Sequence, residues 1–262
     1  FSAAKSGEGT PKASDSTSSP HSGQVNLTVI DSAIGLNSVI LYTFDKFLST
    51  YDMCKRTGFQ NINVDIMSAI PGQSLGDLEE TLKRVTSLRP KHISAYSLMV
   101  EEGTSFYEMY AEDEMKKKSG EIPEYLVTEE LEAAMDALIR DFLEGHGYHR
   151  YEISNYAAKG FECEHNKGYW TGRDYLGFGV GAASLLDNER FSVIRDMDDY
   201  ITAISVGDPV YEGNKALSRK DMMEEFMYLG LRMTEGVSRR DFRQRFGSSI
   251  ESVYGNVLNS LS

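Results

Sequence analysis

Apolar positions along this chain change period several times, and the changes mark out its elements. FDKFLSTYDMCKRTGF (44–59) places apolar residues at helical spacing and reaches Gly58, a helix stop. NINVDIMSAIPGQ (61–73) follows as a β-rich run closed by a Pro-Gly turn. SLGDLEETLKRVTSLRP (74–90) is an amphipathic helix, with Ser74 as its N-cap and Pro90 just beyond its end. HISAYSLMVEEGT (92–104) then runs from strand into loop. Strand, turn, helix and strand at this spacing make a βαβ unit with parallel strands, hence an α/β fold.

The pattern loosens on either side of that unit. Residues 1–25 are rich in Ser, Gly, Ala and Lys and are expected to be low-complexity and disordered. NLTVIDSAIG (26–35) and SVILYTF (38–44) are expected to form short strands. AEDEMKKKSGEIPE (111–124) is read as a charged connection, and 124–145 as one long helix. YHRYEISNYA (148–157) reads as a strand, its tyrosines alternating. SRKDMMEEFMYLGLRM (218–233) and SRRDFRQRFG (238–247) are helices with Ser218 and Ser238 as N-caps and Gly236 and Gly247 at their ends. They suggest a small helical, winged-helix-like module.

Charge and cysteine content narrow the class. A net charge of −13 argues against nucleic acid or an anionic membrane as the main partner. The two cysteines, Cys54 and Cys163, build neither a disulfide framework nor a paired-cysteine metal motif. A reducing, cytoplasmic setting is expected, with no membrane span and no secretory signal.

Candidate chemistry gathers at four places. Asp65 interrupts an apolar strand and reads either as a ligand contact at a strand end or as an exposed or capping aspartate. Met99 either lines a pocket or packs in the core. GFGVGAAS (177–184), which includes Ala183, has the wrong spacing for a dinucleotide fingerprint. Its small residues serve close approach of backbone or of a flat ligand. HNKGYW (165–170) sets His165 among aromatics. An imidazole there is either a haem or metal ligand, or a hydrogen-bonded structural group.

Five blocks together carry a resemblance. NINVDIMSAIPGQSLGDLEETL, HISAYSLMVEEGTSFY, YEISNYAAKGFECEHNKGYW, GRDYLGFGVGAAS and EEFMYLGLRMTEGV follow the order and spacing of oxygen-independent coproporphyrinogen III oxidase-like radical SAM proteins. HNKGYW resembles the H-N-x-x-Y-W signature of the HemW-type haem-chaperone branch. The resemblance spans about residues 50–258. It implies the C-terminal part of a radical SAM partial (β/α) barrel over 26–108, then a barrel-to-C-terminal region over 109–210 carrying the signature. An α+β C-terminal domain ends in a HemN-type helical module over 211–262.

By motif matching, Asp65, Met99 and Ala183 fall at S-adenosylmethionine-proximal positions and His165 on the haem-associated histidine. No catalytic residue is assigned. The family's [4Fe–4S] cluster is held by a three-cysteine loop with no counterpart in this sequence, so neither the cluster nor SAM cleavage is expected of this chain alone. The resemblance implies part of a haem chaperone that gives haem to an acceptor apoprotein associated with the membrane. The rivals are coproporphyrinogen III oxidase, which decarboxylates a porphyrin precursor, and a non-catalytic interaction module.

Overall fold

A computed structural model describes the backbone of residues 25–29 and residues 44–261 in full. The βαβ expectation holds. Strands β1 (Val25–Val29), β2 (Ile62–Ser68) and β3 (His92–Ser97) are parallel neighbours. Helices α1 (Phe44–Arg56) and α2 (Leu75–Ser87) make the crossovers. Gly58 closes α1 at φ 97°, a left-handed value that favours glycine. Ser74 caps α2 in a reciprocal box: its hydroxyl accepts from Asp77 N at 3.2 Å, and its own N–H donates to Asp77 at 2.9 Å. The expected disorder over residues 1–25 and the SVILYTF strand lie outside the described residues, apart from Val25 and Phe44 at element starts.

Two segments differ from expectation. Residues 105–119, mostly read as a charged connection, form helix α3 (Ser105–Ser119). Its apolar residues follow no single stripe, which hid it. Instead it is held by its ends, with Thr104 at the N-cap and Gly120 left-handed at the C-cap. Helix α4 starts late, at Glu129–Gly145 with Thr128 as its N-cap. The preceding turn is clamped by Asp113, only 3% exposed, whose carboxylate accepts from the backbone N–H of Glu124 (2.9 Å), Tyr125 (2.6 Å) and Leu126 (2.9 Å). Burial raises the Asp113 carboxyl pKa, but these three donors and Lys116 outweigh it and hold the group below its usual range.

YHRYEISNYA is likewise not one strand. It folds back as a hairpin, β4 (His149–Arg150) and β5 (Asn155–Ala157), with β5 antiparallel to β3. The sheet order is β1-β2-β3-β5-β4. The fully buried Glu152 fixes the corner by accepting from Ser154 N (2.9 Å) and Asn155 Nδ2 (2.5 Å).

One face of this sheet is the core. Ile62, Val64, Ile66, Ile93 and Tyr156 pack against Phe47 and Tyr51 of α1, Leu78, Leu82 and Val85 of α2, and Met135, Ile139 and Leu143 of α4. The other phase of the same strands carries Asn63, Asp65, Met67, Ser94 and Tyr96. Parallel strands covered by helices on both sides are near-continuously apolar, so this alternation identifies a face turned toward polar chemistry.

After the short helix α5 (Glu164–Trp170) comes a second, three-stranded antiparallel sheet. Its strands are β6 (Ala183–Leu186), β7 (Glu189–Val193) and β8 (Tyr211–Ala216), with α6 (Met197–Val206) between the last two. β6 and β7 join through Asp187 and Asn188, both at positive φ, the residue types that tolerate such a hairpin turn. Helices α7 (Arg219–Gly230), α8 (Arg239–Phe246) and α9 (Ile250–Leu261) close the described chain around Met223, Phe242, Phe246 and Ile250. Ser218 and Ser238 cap α7 and α8 as expected, and Gly247 ends α8 in the left-handed conformation. A bidentate Arg190–Glu225 pair at 2.9 and 3.0 Å fastens β7 to α7.

Replacing Asp113 by Ala should leave three backbone N–H groups, that of Leu126 buried, without this acceptor. A loss of about 3 kcal/mol in urea unfolding is expected from charge-assisted bonds of this kind. Limited proteolysis should then cut near residues 120–128. Unchanged stability would show that the turn is held by something else.

Candidate functional site

The polar face of the first sheet is organised around His92, which is 1% exposed. Its Nδ1 lies 2.6 Å from Asn63 Oδ1, and its Nε2 lies 2.8 Å from the Tyr151 hydroxyl. Asn63 Oδ1 also accepts from Ser94 Oγ at 3.2 Å, while Asn63 Nδ2 donates to Asp65 Oδ1 at 2.6 Å. The Tyr151 oxygen accepts from the backbone N–H of Cys163 at 3.3 Å and hydrogen-bonds the Asn166 side chain. Polar groups therefore run without a break from Asp65 on β2 to the first turn of α5. Burial pushes the His92 pKa down to about 4, against a weaker opposing pull from Glu162, so the ring is neutral at pH 7. Burial likewise raises the Tyr151 phenol, which stays protonated.

The HNKGYW stretch divides its labour around the roughly two turns of α5. Asn166 turns inward to Tyr151. Trp170 lies under the Arg232 guanidinium, 4.3 Å from its carbon to the ring centroid, and so joins α5 to the end of α7. Tyr169 packs edge-on against both His165, at 4.7 Å between centroids, and Tyr175, at 4.6 Å. Tyr175 in turn hydrogen-bonds Arg190 of the Arg190–Glu225 pair. His165 itself is exposed, with one flank against Tyr169. Thus the inward residues of the signature stitch neighbouring elements together, and its histidine is presented to solvent.

The hairpin corner completes this junction. Thr234 N donates to the Tyr151 carbonyl and Thr234 Oγ1 to the Arg150 carbonyl, both at 3.1 Å. Glu152 forms a β-bridge with Met233.

The other sequence candidates lie apart from one another. Asp65 is half-buried at the fourth of the seven residues of β2 rather than at the strand's end. Met99 follows β3, where Leu98 N donates to the Ser68 carbonyl at 2.8 Å; its side chain is 76% exposed at the strand-end rim, not packed in the core. Ala183 opens β6 in the second sheet and pairs with Ser192. The glycine run before it answers to backbone needs: a Cβ on Gly177 would collide with the Ala183 carbonyl, and Gly179 and Gly181 have φ of 94° and 70°. Asn63, His92 and Tyr151 escaped the sequence reading. Their signal was available in the shared phase of Asn63 and Asp65 on one strand and His92 and Ser94 on the next.

Among the described residues no group of three His, Cys, Asp or Glu is placed to hold a metal ion. Nor is any described helix long and apolar enough to cross a membrane. An open cleft lined by Arg239, Arg240 and Arg243 lies at α8 and contains none of the candidate residues.

The state of His92 carries a pH prediction. An imidazole near its ordinary 6.5 in the unfolded chain takes up a proton that the folded ring, at about 4, refuses. Protonation therefore favours unfolding below pH 6.5, and stability should fall by roughly 3 kcal/mol as pH drops from 6.5 toward 4. His92→Gln, which keeps one donor and one acceptor without titrating, should flatten that part of the profile in denaturant unfolding. Parallel profiles for the two proteins would contradict the assignment.

Comparison with known proteins finds relatives of this sequence and of its fold. Residues 217–261 match the HemN C-terminal domain. The haem chaperone HemW of Bacillus subtilis is 34% identical over 214 residues, covering 82% of this chain and 54% of the relative. The Lactococcus lactis haem chaperone HemW is 31% identical over 254 residues, covering 92% of this chain and 64% of the relative. The chain thus spans between half and two thirds of the length of these relatives. Among solved structures, the radical SAM enzyme coproporphyrinogen III oxidase (HemN) from Escherichia coli matches with a TM-score of 0.71 at 16% identity, covering 91% of this chain and 56% of that one. At that identity the likeness is one of fold. The expected α/β, HemN-like architecture is therefore correct, and over part of their length the chain is a homologue of proteins named haem chaperone HemW.

Proposed function

We propose that this chain forms the haem-contacting and junction-forming part of a HemW-like haem chaperone, with haem as cargo. The observation that carries the reading is the presentation of His165. It is an exposed imidazole on a helix otherwise pinned from three sides, braced by Tyr169. A neutral imidazole nitrogen is a competent axial ligand for haem iron, and a fixed helix limits the entropy lost on binding. An acceptor apoprotein would take the haem onward.

S-adenosylmethionine is proposed to lie along the polar face of the first sheet, near Asp65 and Met99. Asp65 offers a carboxylate for a hydroxyl or amine, and exposed Met99 offers an apolar edge at the strand-end rim. Ala183, in the other sheet, enters this proposal by motif alone. The iron–sulfur cluster does not fit these 262 residues. Cluster irons are held by clustered thiolates, whereas Cys54 belongs to α1 and Cys163 caps α5. No radical step is assigned to the residues of this chain. The HNKGYW stretch, together with the chaperone names of the relatives at 31–34% identity, favours the chaperone over the oxidase reading.

Titration of the 262-residue chain with haem tests the proposal. A Soret shift that saturates is expected, and His165→Ala should weaken binding by about tenfold or more, the scale of a lost metal–ligand contact. Identical spectra and affinities for the two proteins would remove His165 as the ligand.

A further inference from the structure

The hydrogen bonds around His92 have a direction. Asn63 Nδ2 donates to Asp65, so Asn63 Oδ1 is the acceptor that faces Ser94 Oγ and His92 Nδ1. Nδ1 must then carry the ring hydrogen, which leaves Nε2 as an acceptor. The partner 2.8 Å from Nε2 is the Tyr151 hydroxyl, which therefore donates there. Its oxygen lone pairs remain for Cys163 N–H and the Asn166 amide. Every donor points the same way, from α5 toward Asp65. A carboxylate only accepts, so Asp65 is the end that sets the direction. Reversing any one bond would leave a neighbouring buried group without a partner, which costs more than an ordinary bond contributes.

We propose that His92 and Tyr151 are positioning residues: together with Asn63 they transmit the state of the Asp65 carboxylate to the seat of α5, the helix that presents His165. The functional consequence rests on the proposed roles of Asp65 and His165, but the relay itself does not. When a ligand hydroxyl or amine draws Asp65 away from Asn63, the Asn63 amide loses its acceptor, and the reorientation passes through the imidazole to Tyr151. The first turn of α5, anchored to Tyr151 by Cys163 N–H and Asn166, then shifts its balance between seated and loosened. Occupancy at the sheet face and haem retention at His165 would be linked in both directions, as coupled binding requires. Asn166 thereby gains a defined task in the H-N-x-x-Y-W signature. It anchors the helix so that the preceding histidine is held outward.

Hydrogen exchange at the Cys163 amide of the full chain reads the relay without any ligand. Rates are taken relative to the Leu82 amide in the buried α2 core, so that a general loss of stability cancels. Tyr151→Phe keeps the ring and removes the acceptor. Relative exchange at Cys163 should rise between about two- and tenfold, the range of a single hydrogen bond. The decisive variant is Asp65→Ala, separated from Cys163 by three residues along the relay. It should also accelerate Cys163 exchange, by at least about twofold, while Asp65→Asn, whose amide oxygen can still accept, should restore the native rate. Native exchange in Asp65→Ala would overturn the relay, whether or not the tyrosine variant folds. Haem titration of Asp65→Ala separates the two ideas. Faster exchange with weaker haem binding supports both. Faster exchange in a protein whose haem affinity is equal to that of the parent supports the relay and counts against His165 as the haem contact.

Discussion

A neutral, fully buried imidazole ties the polar face of the first sheet to the start of α5. His92 is bonded at both nitrogens, to Asn63 on one side and Tyr151 on the other, and is sealed from water. An imidazole in such a place is stable only if each nitrogen finds a partner of the correct polarity. That requirement fixes the amide of Asn63, the hydroxyl of Tyr151 and, through them, Asp65 and the start of α5. The sheet could form without this chain of groups, but its polar face would not be tied to the HNKGYW helix.

The rest of the junction is built outward from the same corner. Glu152, adjacent to Tyr151, closes the β4–β5 hairpin and meets Met233. Thr234 bonds the Tyr151 and Arg150 carbonyls. Arg232 covers Trp170. Thus one tight turn touches the first sheet, the signature helix and the exit of α7. The second sheet is drawn in by Tyr175, which reaches Tyr169 on one side and Arg190 on the other. His165 stands at the exposed edge of this junction, with Tyr169 against one flank.

Much of this was legible in the chain itself. Period-3.6 patterning with Ser74, Ser218 and Ser238 gave helix starts that the structure reproduces, because cap chemistry is local. The βαβ unit was equally local in origin. Helix α3 was hidden because its stability comes from its caps and from Asp113 gripping the following turn, neither of which leaves an amphipathic stripe. The β4–β5 hairpin was missed because its cause is a buried glutamate meeting residues nearby in sequence but turned by a distant chain segment. The second sheet announced itself only through Asp187-Asn188, a two-residue turn signal easily passed over beside the glycines. For the candidate site, motif likeness singled out Asp65, Met99, Ala183 and His165, but not the groups that run between Asp65 and α5. His92, Asn63 and Tyr151 come from three separate strands or turns, and only the fold brings them within bonding distance.

The proton on His92 is the central claim, and nitrogen NMR of the imidazole reads it directly. With the ring 15N-labelled, the account predicts a neutral Nδ1–H tautomer that persists from pH 8 down to pH 5.5, well below the ordinary 6.5. A ring found as the Nε2–H tautomer, or already charged near pH 6.5, would contradict it.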